Sequence, residues 1–184
     1  KFPSPAIQFN PLDLIQKLFI GGFDGIKENL PHIYCGLPAL TGCILYFTRK
    51  QLLARERIVS AAMLIILLFS FLFAPLDFFW HAMDQPSWFP YRYAFLFTFL
   101  LTCFGFEGFL KTENTRNVLS GLLVCLLLFV IAVLTLDEGQ LEFSAVNLGF
   151  LALYAVLFCL FPNRIRNIYL PLVCLELTVN AMLT

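Results

Sequence analysis

Charge is scarce in this chain. Only 13% of its 184 residues are Asp, Glu, Lys or Arg, about half the share of a typical soluble domain. Twelve Lys and Arg balance twelve Asp and Glu, so the net charge is zero. That excludes a nucleic-acid binder working through a basic face. The six cysteines (Cys35, Cys43, Cys103, Cys125, Cys159 and Cys174) each lie inside an apolar run, and none forms a C-x-x-C pair. A zinc or redox motif is excluded on spacing, and the cysteines read as small buried apolar residues. The Gly-rich stretch at 21–25 lacks the Lys and the strand-to-helix setting of a phosphate-binding loop, so it reads as a turn. No triad motif, EF-hand loop or signal-peptide pattern is present.

What the chain has in excess is apolar surface. Sixty per cent of the residues are apolar and Phe alone occurs 22 times. The mean hydropathy is +0.83. A soluble fold of this size buries about 70% of its chain surface and could not hide so much. The solvent that suits the sequence is a bilayer, and a spanning helix there needs roughly 20 mostly apolar residues. Six such runs are expected, at 32–48, 58–76, 91–110, 118–136, 144–161 and 168–184. The expected fold class is an all-α, polytopic transmembrane bundle. Lys1 is not a Met and the last run stops short, so the sequence reads as a piece of a larger protein.

The loops carry the orientation. Loops 49–57, 111–117 and 162–167 hold eight Lys and Arg, whereas 77–90 and 137–143 hold none. The positive-inside rule puts the first three loops in the cytoplasm. Residues 1–31, 77–90 and 137–143 then face outward. Within 1–31, residues 12–20 space their apolar positions like a short amphipathic helix, with Asp13, Gln16 and Lys17 on its polar side, as expected of an interfacial segment or a simple outer loop. The domain reading is an extracytoplasmic segment 1–31 followed by a membrane bundle 32–184.

Window 77–94 holds both Trp residues and the candidate chemistry. Much of its aromatic content fits an interfacial belt. Arg92 fits less easily, because it stands on the outer side at the first turn of a helix, where the macrodipole disfavours a cation. It could bind a phosphate through its planar donors, pair with Asp77 or Asp84, or snorkel to lipid headgroups. Tyr91 and Tyr93 flank it. His81 lies four residues after Asp77, so on a helix the two share a face and the carboxylate can orient the imidazole. His32 is also expected outside. The two histidines with nearby carboxylates make a candidate acid–base or divalent-metal set that spacing alone does not establish. Glu107 pairs naturally with Lys111 at i,i+4. Glu176 is an intramembrane acid, read as a structural hydrogen-bonding group or a functional one. Gly105, Gly108, Gly121 and Gly149 read as close helix-packing positions.

The stretch Phe89-Pro90-Tyr91-Arg92-Tyr93-Ala94-Phe95 resembles the "PYRYSF" signature region of bacterial YfhO-type membrane proteins. Pro31-His32-Ile33-Tyr34-Cys35-Gly36 is similar to that family's P-x-I-Y-x-G opening of a span. The similarity is good over about residues 20–110 and rests on hydropathy elsewhere. Ala94 departs from the usual Ser. The resemblance implies a GT-C-like integral membrane glycosyltransferase that takes a sugar from a polyprenyl-phosphate donor at the outer face. The acceptor would be a cell-envelope polymer of teichoic-acid type. It further implies that Arg92 holds the donor phosphate, that Tyr91, Tyr93, His81 and Asp77 line the outer cavity, and that the catalytic acid lies upstream of Lys1. A transporter or flippase for a lipid-linked substrate, or a non-catalytic scaffold, are the competing readings. Pro38 and Pro171 interrupt apolar runs as a transporter's broken helices would.

Overall fold

Asn114 begins a long helix in the way asparagine commonly does. Its side-chain Oδ1 accepts the Arg116 amide at 2.9 Å, and its carbonyl accepts from Asn117 and Val118. The helix that follows is the longest of eight in the computed structural model, which describes residues 4–22, 30–84, 90–112, 114–135, 142–161 and 165–183. In chain order these are α1 (Asp13–Gln16), α2 (Leu37–Thr48), α3 (Ala54–Leu72), α4 (Ala74–Trp80), α5 (Ala94–Leu110), α6 (Thr115–Thr135), α7 (Glu142–Leu160) and α8 (Ile165–Leu183). No strand occurs among the described residues, and the one isolated bridge joins Ile7 to Phe73. The all-α expectation holds.

The six expected runs each contain a helix, but the six-span bundle is not established by helix length. Thr115–Leu134 is the one described helix both long and apolar enough to cross a membrane. Leu37–Thr48, Ala94–Leu110, Ser144–Leu160 and Leu170–Leu183 are apolar but shorter. The run at 58–76 is divided. Phe73 takes an extended conformation, Pro75 sits in the first turn of α4, and the backbone at 6–8 hydrogen-bonds across the break. Proline is tolerated there because the first turn has no intrahelical partner for its missing N–H.

α2 lies at the centre, against α5, α6 and α8. Leu37 to Cys43 are all buried, as a helix apolar on every side requires. It runs parallel to α5, and small residues set the approach: a Cβ on Gly42 or Gly105 would overlap the facing backbone, and one on Gly108 would overlap the Gly42 carbonyl. Gly121 is less crowded: a Cβ there would press on the Thr41 methyl at 3.0 Å. Gly149 differs from expectation, since a Cβ there would meet open space. Outward, Ile58, Ile66, Phe69, Phe95, Phe99, Leu123, Leu127 and Leu134 are exposed along α3, α5 and α6. Apolar area of this extent marks a surface built for lipid or protein cover.

The amino-terminal segment is inserted into the bundle. α1 is four residues long with turns after it, so the single helical turn of the loop alternative is present rather than a helix over 12–20. Lys17, read from sequence as polar-face, is 3% exposed, and its Nζ donates to the Gly22 carbonyl at 2.7 Å. Asn147 of α7 grips the segment: its Oδ1 accepts the Ile20 amide and its Nδ2 donates to the Ile20 carbonyl, both at 3.0 Å. Phe19 packs edge-on against Phe129 of α6. Residues 23–25 of the Gly-rich turn, 85–89 of the aromatic window, and 137–141 and 162–164 of the later loops lie outside the described residues.

Candidate functional site

Four of the five expected site residues interlock where α4 meets the start of α5. Asp77 is 8% exposed. Its carbonyl lies 2.9 Å from His81 Nδ1, and its Oδ1 lies 3.5 Å from the same nitrogen. A carbonyl only accepts, so Nδ1 carries a proton. Nε2 is buried with no hydrogen-bond partner. The shared helical face expected for this pair is therefore present. Burial raises the Asp77 carboxyl above its usual range, opposed by His81 and by hydrogen bonds from Tyr93 and Gln8.

Tyr93 closes the cluster. Its hydroxyl lies 2.7 Å from the Ser70 carbonyl and 3.1 Å from Asp77 Oδ1. Its ring is stacked between Phe71 and Trp80, with centroids at 5.1 and 5.0 Å. Trp80 Nε1 in turn donates to Ser70 Oγ at 3.0 Å. Part of the expected interfacial aromatic belt is thus interior packing. Tyr91 has φ +57°, a left-handed conformation costly for a non-glycine residue. Three contacts hold it there: its hydroxyl donates to Gln8 Oε1 at 2.9 Å, and its ring meets Phe9 and Phe71 edge-on.

Tyr91 and Tyr93 are buried while Arg92 between them is exposed. The tyrosine hydroxyls are committed to protein partners, so the two rings anchor the turn that carries Arg92. Gln8, Ser70 and Phe71 complete this cluster and carry no local sequence signal; Gln8 stands 83 positions from Tyr91. His32 is exposed, and among the described residues no three His, Cys, Asp or Glu converge as metal ligands. Of the cysteines, Cys35, Cys43 and Cys125 are buried, whereas Cys103, Cys159 and Cys174 are exposed, against the uniform burial expected.

A second polar cluster surrounds Glu176 of α8, which is fully buried. Its Oε1 accepts from the Tyr34 hydroxyl at 2.7 Å and from the Leu37 amide at 2.8 Å. Its Oε2 accepts from the Tyr154 hydroxyl. Gly36, at φ +88°, turns the chain so that the first amide of α2 meets this carboxylate. With three donors on two oxygens, Glu176 ties α2, α7 and α8 together, which fits the structural reading. At the other end of α5, Glu107 pairs with Lys111 at 2.6 Å, as expected, and also with Arg49 at 3.4 Å.

Helices among the described residues, apolar faces turned outward and polar groups gathered in interior clusters define the class: a helical protein suited to a lipid environment. Residues 4–184 match the family model described as "Bacterial membrane protein YfhO", and the chain belongs to that family. The match extends well beyond the 20–110 region that carries the motif resemblance. No curated protein and no solved structure matches the chain.

Proposed function

We propose that this chain is the membrane module of a glycosyltransferase. In this reading it moves a sugar from a polyprenyl-phosphate donor to a cell-envelope acceptor of teichoic-acid type, at the outer face of a bacterial membrane. Family membership supports a membrane role of this kind. The observation that carries the reading is the exposed Arg92 held on a strained, over-determined turn. Tyr91 keeps its left-handed conformation only because Gln8, Phe9 and Phe71 hold it, and Tyr93 is locked by Ser70 and Asp77. Strain maintained in this way is characteristic of positions where geometry serves function.

When glycosyl transfer occurs, the bond between the anomeric carbon and the phosphate oxygen breaks, and charge grows on the leaving phosphate. A guanidinium fixed beside that oxygen stabilises the developing charge more than it stabilises the bound donor. Arg92 is assigned this task. Asp77, His81, Tyr91 and Tyr93 are assigned to holding the turn, and the acid or base that activates the acceptor is assigned elsewhere in the protein. Replacing Arg92 with Ala should lower sugar transfer by about a hundredfold or more, the size of effect seen when a charge-stabilising donor is lost. Thermal stability should stay near wild type, because Arg92 is exposed. Transfer from radiolabelled polyprenyl-phosphate sugar in membrane vesicles measures this, and full activity in Arg92→Ala sinks the assignment.

A further inference from the structure

At the end of the bundle away from Arg92, the loops after α2 and α5 and the first turns of α3 and α6 enclose a cleft of about 1070 Å³. Arg49, Lys50 and Lys111 line it, with Glu56 as the carboxylate among the described lining residues and Asn114 and Asn117 from the start of α6. Arg49 is held in place from several sides. Its Nη1 and Nη2 face Glu107 Oε1 at 3.5 and 3.4 Å, and its guanidinium lies 5.7 Å from the centre of the Tyr46 ring. Its side chain is 11% exposed, yet its Nε is buried with no hydrogen-bond partner.

A buried guanidinium N–H without an acceptor is rare and calls for an oxygen. Glu107 faces the two terminal nitrogens and leaves the buried Nε without an acceptor among the described residues, so the guanidinium is not fully spent on Glu107. The positive ends of two helices meet here, α3 beginning at Ala54 and α6 at Thr115, which favours an anion. The opposing negative ends, those of α2 and α5, are met by Arg49 and Lys111 at their C-caps. Lys50 adds an exposed cation.

We propose that this cleft binds a phosphate group, with the Arg49 guanidinium, Lys50 and Lys111 as its ligands. The phosphate comes either from the headgroup of an anionic lipid or from a soluble phosphate. The site is separate from the Arg92 turn, and its failure would leave the glycosyltransferase reading untouched.

The test uses the full protein in two arms. In detergent, the thermal midpoint is followed against sodium phosphate, with sodium chloride at equal ionic strength as control. In nanodiscs of mixed phosphatidylglycerol and phosphatidylcholine, native mass spectrometry reports which lipid is retained. A saturable phosphate response identifies a soluble ligand. Retention of phosphatidylglycerol without a phosphate response identifies a headgroup. In the responding arm, Lys50→Gln combined with Lys111→Gln should weaken binding about tenfold, as expected for lost charge-assisted contacts. Lys50→Gln alone, at an exposed position outside the packing, should weaken it in the same direction. No response in either arm, or an equal response in the substituted proteins, overturns the proposal.

Discussion

Individual side chains divide into those that could be read locally and those that could not. The Asp77–His81 and Glu107–Lys111 pairs follow from i,i+4 spacing, and both are present. The partners of Glu176 were illegible, because Leu37 and Tyr34 stand 139 and 142 positions away. Nothing short of the tertiary fold brings them together. Lys17 failed for a related reason: a helical wheel predicts which face is polar, but a nearby carbonyl from Gly22 satisfies the ammonium inside the bundle. The raised Asp77 carboxyl makes a prediction at this scale. A carboxyl whose folded value lies above its unfolded one binds its proton more tightly when folded. Its contribution is therefore complete below the ordinary value of about 4 and is lost as pH rises through the raised one. Asp77→Asn should flatten that slope. Thermal midpoints from pH 3 upward should show wild type falling relative to the variant as pH rises, and parallel curves would contradict it.

Helices follow from the apolar runs, but their interruptions and contacts need more. The break at Phe73 divides a run read from sequence as one span; Pro75 fits the first turn of α4, and the segment at 6–8 bonds across the break. Pro38, expected to interrupt the run at 32–48, instead sits in the first turn of α2 after Gly36 at positive φ, where a proline is tolerated as a helix entrance. The α2–α5 interface depends on glycines whose role is visible only in pairs. Gly105 and Gly108 suggested close packing, and the matching Gly42 on the partner helix completes it. Gly108→Ala should force the two helices apart, because its Cβ would meet the Gly42 backbone and not a movable side chain. Overpacking of this kind costs about 1–3 kcal/mol. Gly149→Ala, in open space, should change stability little or raise it slightly through the alanine helix preference. Equal losses for both in thermal unfolding would refute the packing account.

Across the molecule, contacts at their ends set the relative directions of α2, α3 and α5, with α3 running opposite to the other two. Tyr46 of α2 meets Ser60 at the start of α3, and Tyr93 before α5 meets Ser70 near the end of α3. The basic residues Arg49, Lys50 and Lys111 gather at one end, and Asp77, His81 and Arg92 belong to the other. The topology expected from loop charge makes a direct prediction. In a variant with its native cysteines replaced by serine, a single Lys50→Cys should react with a membrane-impermeant maleimide only after the cells are opened. A single Asp84→Cys in the same background should react in intact cells. The reverse pattern would invert the orientation and move Arg92 to the cytoplasmic side, removing the basis for donor binding at the outer face.

Composition and periodicity by themselves determined that this chain is helical and apolar, with its scarce charges confined to the connections, because the cost of burying a charge or an unpaired backbone group is set locally. They also pointed to the window around Arg92, since an arginine at a helix start on the acidic side is locally unfavourable. Only the tertiary structure decided which polar groups are spent inside the protein. It committed Tyr91 and Tyr93 to Gln8, Ser70 and Asp77, satisfied Glu176 from three directions, and left Arg49 Nε without a partner in a basic cleft. Hydrogen bonds act over about 3 Å, and the residues they join here are up to 142 positions apart. The packing of whole helices, which no local pattern encodes, is what brings them within reach.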